Sequence, residues 1–170
     1  MYCPRLDHFV RLNQDGSVGK CGHMVNAKGF ESFKEIENSE WLKSIKDTMS
    51  EDKWPDECAR CQQSERVKGE SIRTNSIARH KMLHPILKDY LIVGGVLDNI
   101  CNSACQSCNA GLSTKIGSLE SKNYTRVDNY DVLQTLPLDR VIELDVNGGE
   151  PTASKNYKKV LNDLPANTKI

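Results

Sequence analysis

Apolar and polar positions alternate at the start of the chain. In "HFVRLNQDGSVGKC", residues 8–21, the alternation runs on both sides of Asp15-Gly16, a two-residue turn signal, and predicts a β-hairpin. In "SFKEIENSEWLKSIKDTMSE", residues 32–51, the apolar positions are Phe33, Ile36, Trp41, Leu42, Ile45 and Met49. The later ones recur at helical spacing, and Ser39 with Glu40 offers a helix start. Pro55 and Asp56 then break the pattern. Trp41 and Trp54 are expected to pack around this first part. Further on the rhythm changes. "YLIVGGVLDN" (90–99) is an apolar run of strand length, and "GLSTKIGSLES" (111–121) and "YDVLQTLPL" (130–138) read as helical. "RVIELDVNGG" (140–149) is a second strand, and "SKNYKKVLNDLP" (154–165) is a helix with Tyr157, Val160, Leu161 and Leu164 on one face. Strand, helix, strand, helix predicts a parallel sheet with crossover helices, hence an α/β fold.

Between the two parts lies a charged stretch, Glu65 to Lys88, without cysteine. The expected organisation is a small α+β cysteine-rich unit over 1–66, a helical linker over 67–89 and a strand-helix unit over 90–170. The chain has 170 residues, with 23 Lys+Arg against 23 Asp+Glu, so its formal net charge is zero and nucleic acid is not a favoured partner. The N-terminus has no long apolar stretch and no segment is long enough to span a bilayer, so a cytoplasmic, non-membrane protein is expected. In that reducing compartment disulfides are rare, and the odd total of seven cysteines points to metal or cluster binding instead.

Three of these cysteines, Cys101, Cys105 and Cys108, stand at spacings of three and two residues directly after the first apolar strand. Three thiolates can wrap three corners of a cubane and leave one iron open to a small ligand. A second feature is the strand end Asn147-Gly148-Gly149-Glu150-Pro151. Glycines there let a ligand approach the backbone, and ligands of parallel sheets bind at the carboxyl ends of strands. A zinc site built from the three cysteines and His80 or His84, one helical turn apart, is the plainer alternative. Asp98 and Asn99 are explained by turn chemistry as well as by a role in the loop. Glu143 and Asp145 alternate with apolar residues on the second strand and are candidates to face a barrel interior.

Cys-x3-Cys-x2-Cys after a strand, followed by Gly148-Gly149-Glu150, resembles the signature of the radical S-adenosylmethionine (SAM) superfamily. The resemblance implies the start of a partial (β/α)6 barrel. It also implies that Cys101, Cys105 and Cys108 ligate a four-iron four-sulfur cluster whose open iron chelates SAM. Gly148, Gly149 and Glu150 would bind the SAM amino group, and Asn102 matches the "CN" that opens the family's loop. Reductive cleavage of SAM would then yield a 5′-deoxyadenosyl radical. Ser107 departs from the aromatic residue often found before the last cysteine, which weakens the adenine contact.

Cys3, Cys21, Cys58 and Cys61 form a second set, with Gly16 and Cys21 in a G-x4-C unit and Cys58 and Cys61 in a C-x2-C. The pattern resembles the twitch domain, a shortened SPASM domain that carries an auxiliary four-iron four-sulfur cluster, although here it precedes the barrel. A structural zinc site suits four thiolates equally. The resemblance further implies a peptide or protein substrate and a flavodoxin or ferredoxin donor. Because a radical SAM core has about six strand-helix units and only two are legible, the chain is expected to be a fragment of a longer enzyme. The contrasting expectation is a non-catalytic zinc-binding module.

Overall fold

The structure, a computed structural model, describes residues 1–120 and 124–170. A single turn of helix, α1 (Arg5–His8), leads into β1 (Phe9–Leu12), which turns back on β2 (Val18–Gly19). Gly16 takes φ +88° in that turn, the left-handed region that glycine enters without steric cost. Two helices follow, α2 (Phe33–Glu37) and α3 (Glu40–Ser50). Ser39 caps α3 by accepting a hydrogen bond from the Leu42 amide, and Leu42, Ile45 and Met49 are its buried stripe. Trp41 and Trp54 pack against the core, as the pattern predicts, and Trp41 Nε1 donates to Glu57.

The charged stretch is helical. A 3₁₀ turn at Asp56–Cys58 runs into α4 (Ala59–Lys68), which Gly69 ends in the left-handed conformation, and α5 (Ile72–Leu83) begins at a capping box on Ser71 and Thr74. Next come β3 (Leu91–Val96), α6 (Thr114–Leu119), α7 (Tyr130–Leu133), β4 (Val141–Asn147) and α8 (Lys155–Asp163). The strands and α8 fall where the pattern places them, whereas the helices expected over 111–121 and 130–138 are shorter, and Leu138 opens a 3₁₀ turn instead; Ser121, the last residue of the stretch expected to form α6, lies outside the described residues.

The strands form one mixed sheet in the order β2-β1-β3-β4. β3 and β4 are parallel, as expected, and β1 also runs parallel to β3, pairing Phe9 with Ile92 through Leu12 with Gly95. The N-terminal hairpin and the later strands thus share a sheet across the expected linker. Beyond β4, Lys169 makes a parallel bridge through its amide to Ile142 O and its carbonyl from the Leu144 amide. No helix among the described residues is long and apolar enough to cross a membrane.

Strand alternation gives the sheet two different faces. Val10, Leu12, Val93 and Leu144 are buried in a core that includes Leu133, Val160 and Leu164. The other face presents Phe9, Arg11, Ile92, Gly94, Glu143 and Asp145 to a cavity of about 460 Å3, also bordered by residues of α1 and α5. The three parallel strands therefore direct their C-terminal ends to one side, where the cysteine loop begins.

Candidate functional site

Four buried polar residues, Asp98, Asn99, Ser154 and Asn156, build the base of the cysteine loop. Asp98 and Asn99, one residue beyond β3, are fully buried. Asp98 Oδ1 accepts from the Ile100 amide at 3.1 Å, and its Oδ2 accepts from Ser154 Oγ and, at 3.2 Å, from Asn156 Nδ2. Since Ser154 also caps α8, one carboxylate couples the loop to the helix that follows β4. Asn99 donates to Thr125 O at 2.8 Å and accepts from the Val127 amide at 2.9 Å. Thr114 Oγ1 accepts from the Cys101 amide and donates to its carbonyl, both at 3.1 Å. The first cysteine is therefore fixed, while the rest of the loop reaches solvent: Cys101 and Cys108 are half-buried, Cys105 is exposed, and the Cys108 amide folds back on Cys105 O at 3.1 Å. Asn102 is exposed and its Oδ1 accepts from Ser103 Oγ at 3.4 Å; Ser107 is exposed too.

The glycine-rich turn packs on this loop. Gly148 and Gly149 have φ +87° and +67°. A Cβ on Gly148 would stand 2.9 Å from Asp98 O, and one on Gly149 would stand 2.8 Å from Ile100 O. The close approach permits two backbone bonds, Gly149 N to Leu112 O at 2.8 Å and Glu150 N to Ile100 O at 2.7 Å. Tyr157 O–H donates to Gly148 O at 3.0 Å, and burial lifts its pKa to about 12. The Glu150 carboxylate, half-buried, accepts from Thr152 Oγ1 at 2.9 Å. Two motifs some forty residues apart in sequence thus meet at the carboxyl ends of adjacent parallel strands.

Comparison of the chain with protein-family models, curated proteins and solved structures returns no match. His80 and His84 lie away from the cysteine loop. His80 Nδ1 meets Tyr90 Oη at 2.9 Å at the start of β3, and six strand residues, about 20 Å, separate that end from the loop. His8 stacks on both His80 and Tyr90, and His84 lies tilted against His80. Glu143 is held by Arg79, at 2.6 and 3.0 Å, and by Lys169 at 3.6 Å; Asp145 faces the same cavity, exposed and without an ion pair among the described residues.

The four N-terminal cysteines come together. All are buried, and all line one small cavity with Leu6, Met24 and Met49. Burial, with the charge of neighbouring thiols, raises Cys3 to about 11 and Cys58 to about 12, so both are neutral thiols near pH 7 when no cation is present. Arg73, tied to Glu65 of α4, borders the cavity and stacks over Trp54. The open space is about 20 Å3, enough for one water-sized body. Among the described residues no three Cys, His, Asp or Glu side chains converge closely enough to chelate a single ion as they stand. Soft donors, burial and enclosure fit a thiolate metal centre; a cubane would push the four side chains outward.

The pattern along the chain did not single out Thr114, Ser154 or Asn156 as supports of the loop. Their signal was an Asp-Asn pair directly after an apolar strand, which is an ordinary turn until the partners are seen.

Proposed function

We propose that this chain is a radical SAM protein whose sheet is the start of a partial (β/α) barrel. Cys101, Cys105 and Cys108 supply three thiolates to a four-iron four-sulfur cluster. When bound, that cluster supplies the electron that cleaves SAM to a 5′-deoxyadenosyl radical. Gly148, Gly149 and Glu150, with Asn102, hold the polar groups of SAM: the glycines leave room at the strand end and Glu150 offers a carboxylate to an ammonium. Asp98 and Thr114 position the loop. Cys3, Cys21, Cys58 and Cys61 hold a second, fully thiolate-ligated centre, an auxiliary four-iron four-sulfur cluster. The expected setting is the cytoplasm, with a peptide or protein substrate and a flavodoxin or ferredoxin donor.

The observation that carries this reading is the pair of backbone bonds from Gly149 and Glu150 to Leu112 and Ile100, which hold the two motifs against each other. The small volume of the four-cysteine cavity favours a second reading, a non-catalytic zinc-binding module. Anaerobic purification separates them. Two cubanes give a brown protein with about eight irons, and SAM should shift the electron paramagnetic resonance of the reduced protein. A colourless protein with stoichiometric zinc, or an iron signal indifferent to SAM, overturns the proposal.

A further inference from the structure

The cavity over the sheet holds two arginines that the cysteine chemistry does not use. Elsewhere arginines that enter the fold carry carboxylate partners: Arg73 has Glu65, Arg79 has Glu143 and Arg140 has Asp89. Among the described residues Arg5 and Arg11, which line the cavity, make no ion pair, and the Nε atom of each is buried without an acceptor; the Nε of Arg140 is too, but its guanidinium already has Asp89. Both are held from below. The Arg5 guanidinium lies 3.5 Å over the Phe9 ring, and a Cβ on Gly22 would stand 2.4 Å from Arg11 Nη1, so that guanidinium rests on the Gly22 backbone. Phe9 and Arg11 are successive residues on the same face of β1, which brings the two guanidiniums to one wall. Asp145, a carboxylate of the cavity without an ion pair among the described residues, lies two strands away across Gly94. A buried guanidinium N–H without an acceptor is costly, and a planar fork of donors matches a carboxylate or phosphate.

We propose that this cavity binds a small molecule through an oxyanion, a carboxylate or a phosphate, held by Arg5 and Arg11. At about 460 Å3 it has the size of a small-ligand site. His23 lines both this cavity and the four-cysteine cavity, so the anion would sit beside that centre. The proposal stands independently of which metal the cysteines hold.

Calorimetric titration of the full chain, as purified and at low ionic strength, tests it with two probes, inorganic phosphate and succinate. Low salt is needed because the arginines are only half-buried. Saturable binding of phosphate alone assigns a phosphate ligand, and of succinate alone a carboxylate; binding of both supports the shared chemistry. Arg5→Gln and Arg11→Gln should each weaken it roughly tenfold, and Arg11→Lys, which keeps the charge without the fork, should weaken it less. Lys34→Gln, on α2 outside the cavity, should change nothing. Circular dichroism reports folding; should Arg11→Gln fail to fold, Arg5→Gln and Arg11→Lys carry the test. Binding of neither probe, or binding that Arg5→Gln and Arg11→Lys leave undiminished, overturns the proposal. Iron content, read on the same samples, bears on the cluster reading alone.

Discussion

Lys20 is a buried charge with one ionic partner among the described residues. The Lys20 side chain is wholly buried and its ammonium is paired with Glu37, while burial holds its pKa below the ordinary lysine value. Removing one partner of a buried pair leaves the other charge uncompensated, which costs more than the pair contributes. Glu37→Ala should therefore lower stability by about 2 kcal/mol in urea denaturation, the value discounted because Glu37 is partly exposed. Lys20→Met should cost less, because it leaves no buried charge. His80 gives a pH dependence of known sign. Burial, then the positive charge of His8 and His84, holds its pKa below the usual histidine value, against an opposing pull from Asp7. A histidine depressed in the folded state binds protons more readily when unfolded, so its contribution is complete above about pH 6.5 and is lost as pH falls through that region. The urea midpoint should drop as pH falls below about 6.5, and His80→Gln should flatten that slope. The carboxylates whose pKa values are lowered, Asp15, Asp52, Glu65 and Glu143, act only in more acidic solution.

At the level of elements, the junction between the cysteine loop and the glycine turn rests on backbone approach. Gly149→Ala places a methyl group 2.8 Å from Ile100 O at a φ of +67°, and a cost of about 1–3 kcal/mol follows from strain and overpacking. If the junction orders the SAM site, this variant should retain its iron yet lose the SAM-induced change in the resonance spectrum. A variant that binds SAM like the parent protein would detach the turn from that role. Cys105→Ser, on the exposed middle of the loop, should reduce iron from about eight to about four per chain without removing the second centre. The elements themselves were legible because each is local: the hairpin from Asp15-Gly16, α3 from Ser39 and its apolar stripe, β3 and β4 from their apolar runs, α8 from its spacing. The three-cysteine loop and the glycine turn were legible as separate motifs. Their contact was not, since a hydrogen bond from Glu150 to Ile100 leaves no trace in any local window. The same holds for Asp98, whose partners Ser154 and Asn156 lie more than fifty residues away. The wall formed by Arg5 and Arg11 was hidden differently: alternation along β1 shows which residues share a face, but not that α1 and α5 leave a cavity over it.

For the molecule as a whole, the decisive feature is the parallel pairing of β1 with β3. Composition divides the chain at the charged stretch, yet the sheet does not stop there. Four registered residue pairs join Phe9–Leu12 to Ile92–Gly95, and Gly95 accommodates the approach because a Cβ on it would lie 2.2 Å from Leu12 O. Asn129 adds a tie, donating to Asn13 O at 2.7 Å and to Val96 O at 2.6 Å, so the ends of β1 and β3 are held by one side chain. β3 is thus an inner strand that depends on the N-terminal hairpin for one edge and on β4 for the other. Without β1, its apolar face and one row of backbone groups would be exposed, and a two-stranded remnant cannot bury both faces of a parallel sheet. The two segments should therefore unfold together. Both tryptophans lie before residue 66 and report the cysteine-rich part, whereas far-ultraviolet circular dichroism also reports α8 and the later helices. In urea the two signals should share one midpoint, and a peptide of residues 90–170 should lack native circular dichroism. Two separated transitions, or a folded 90–170 peptide, would show instead that β1 is an appendage and that the later strands need no support from the hairpin.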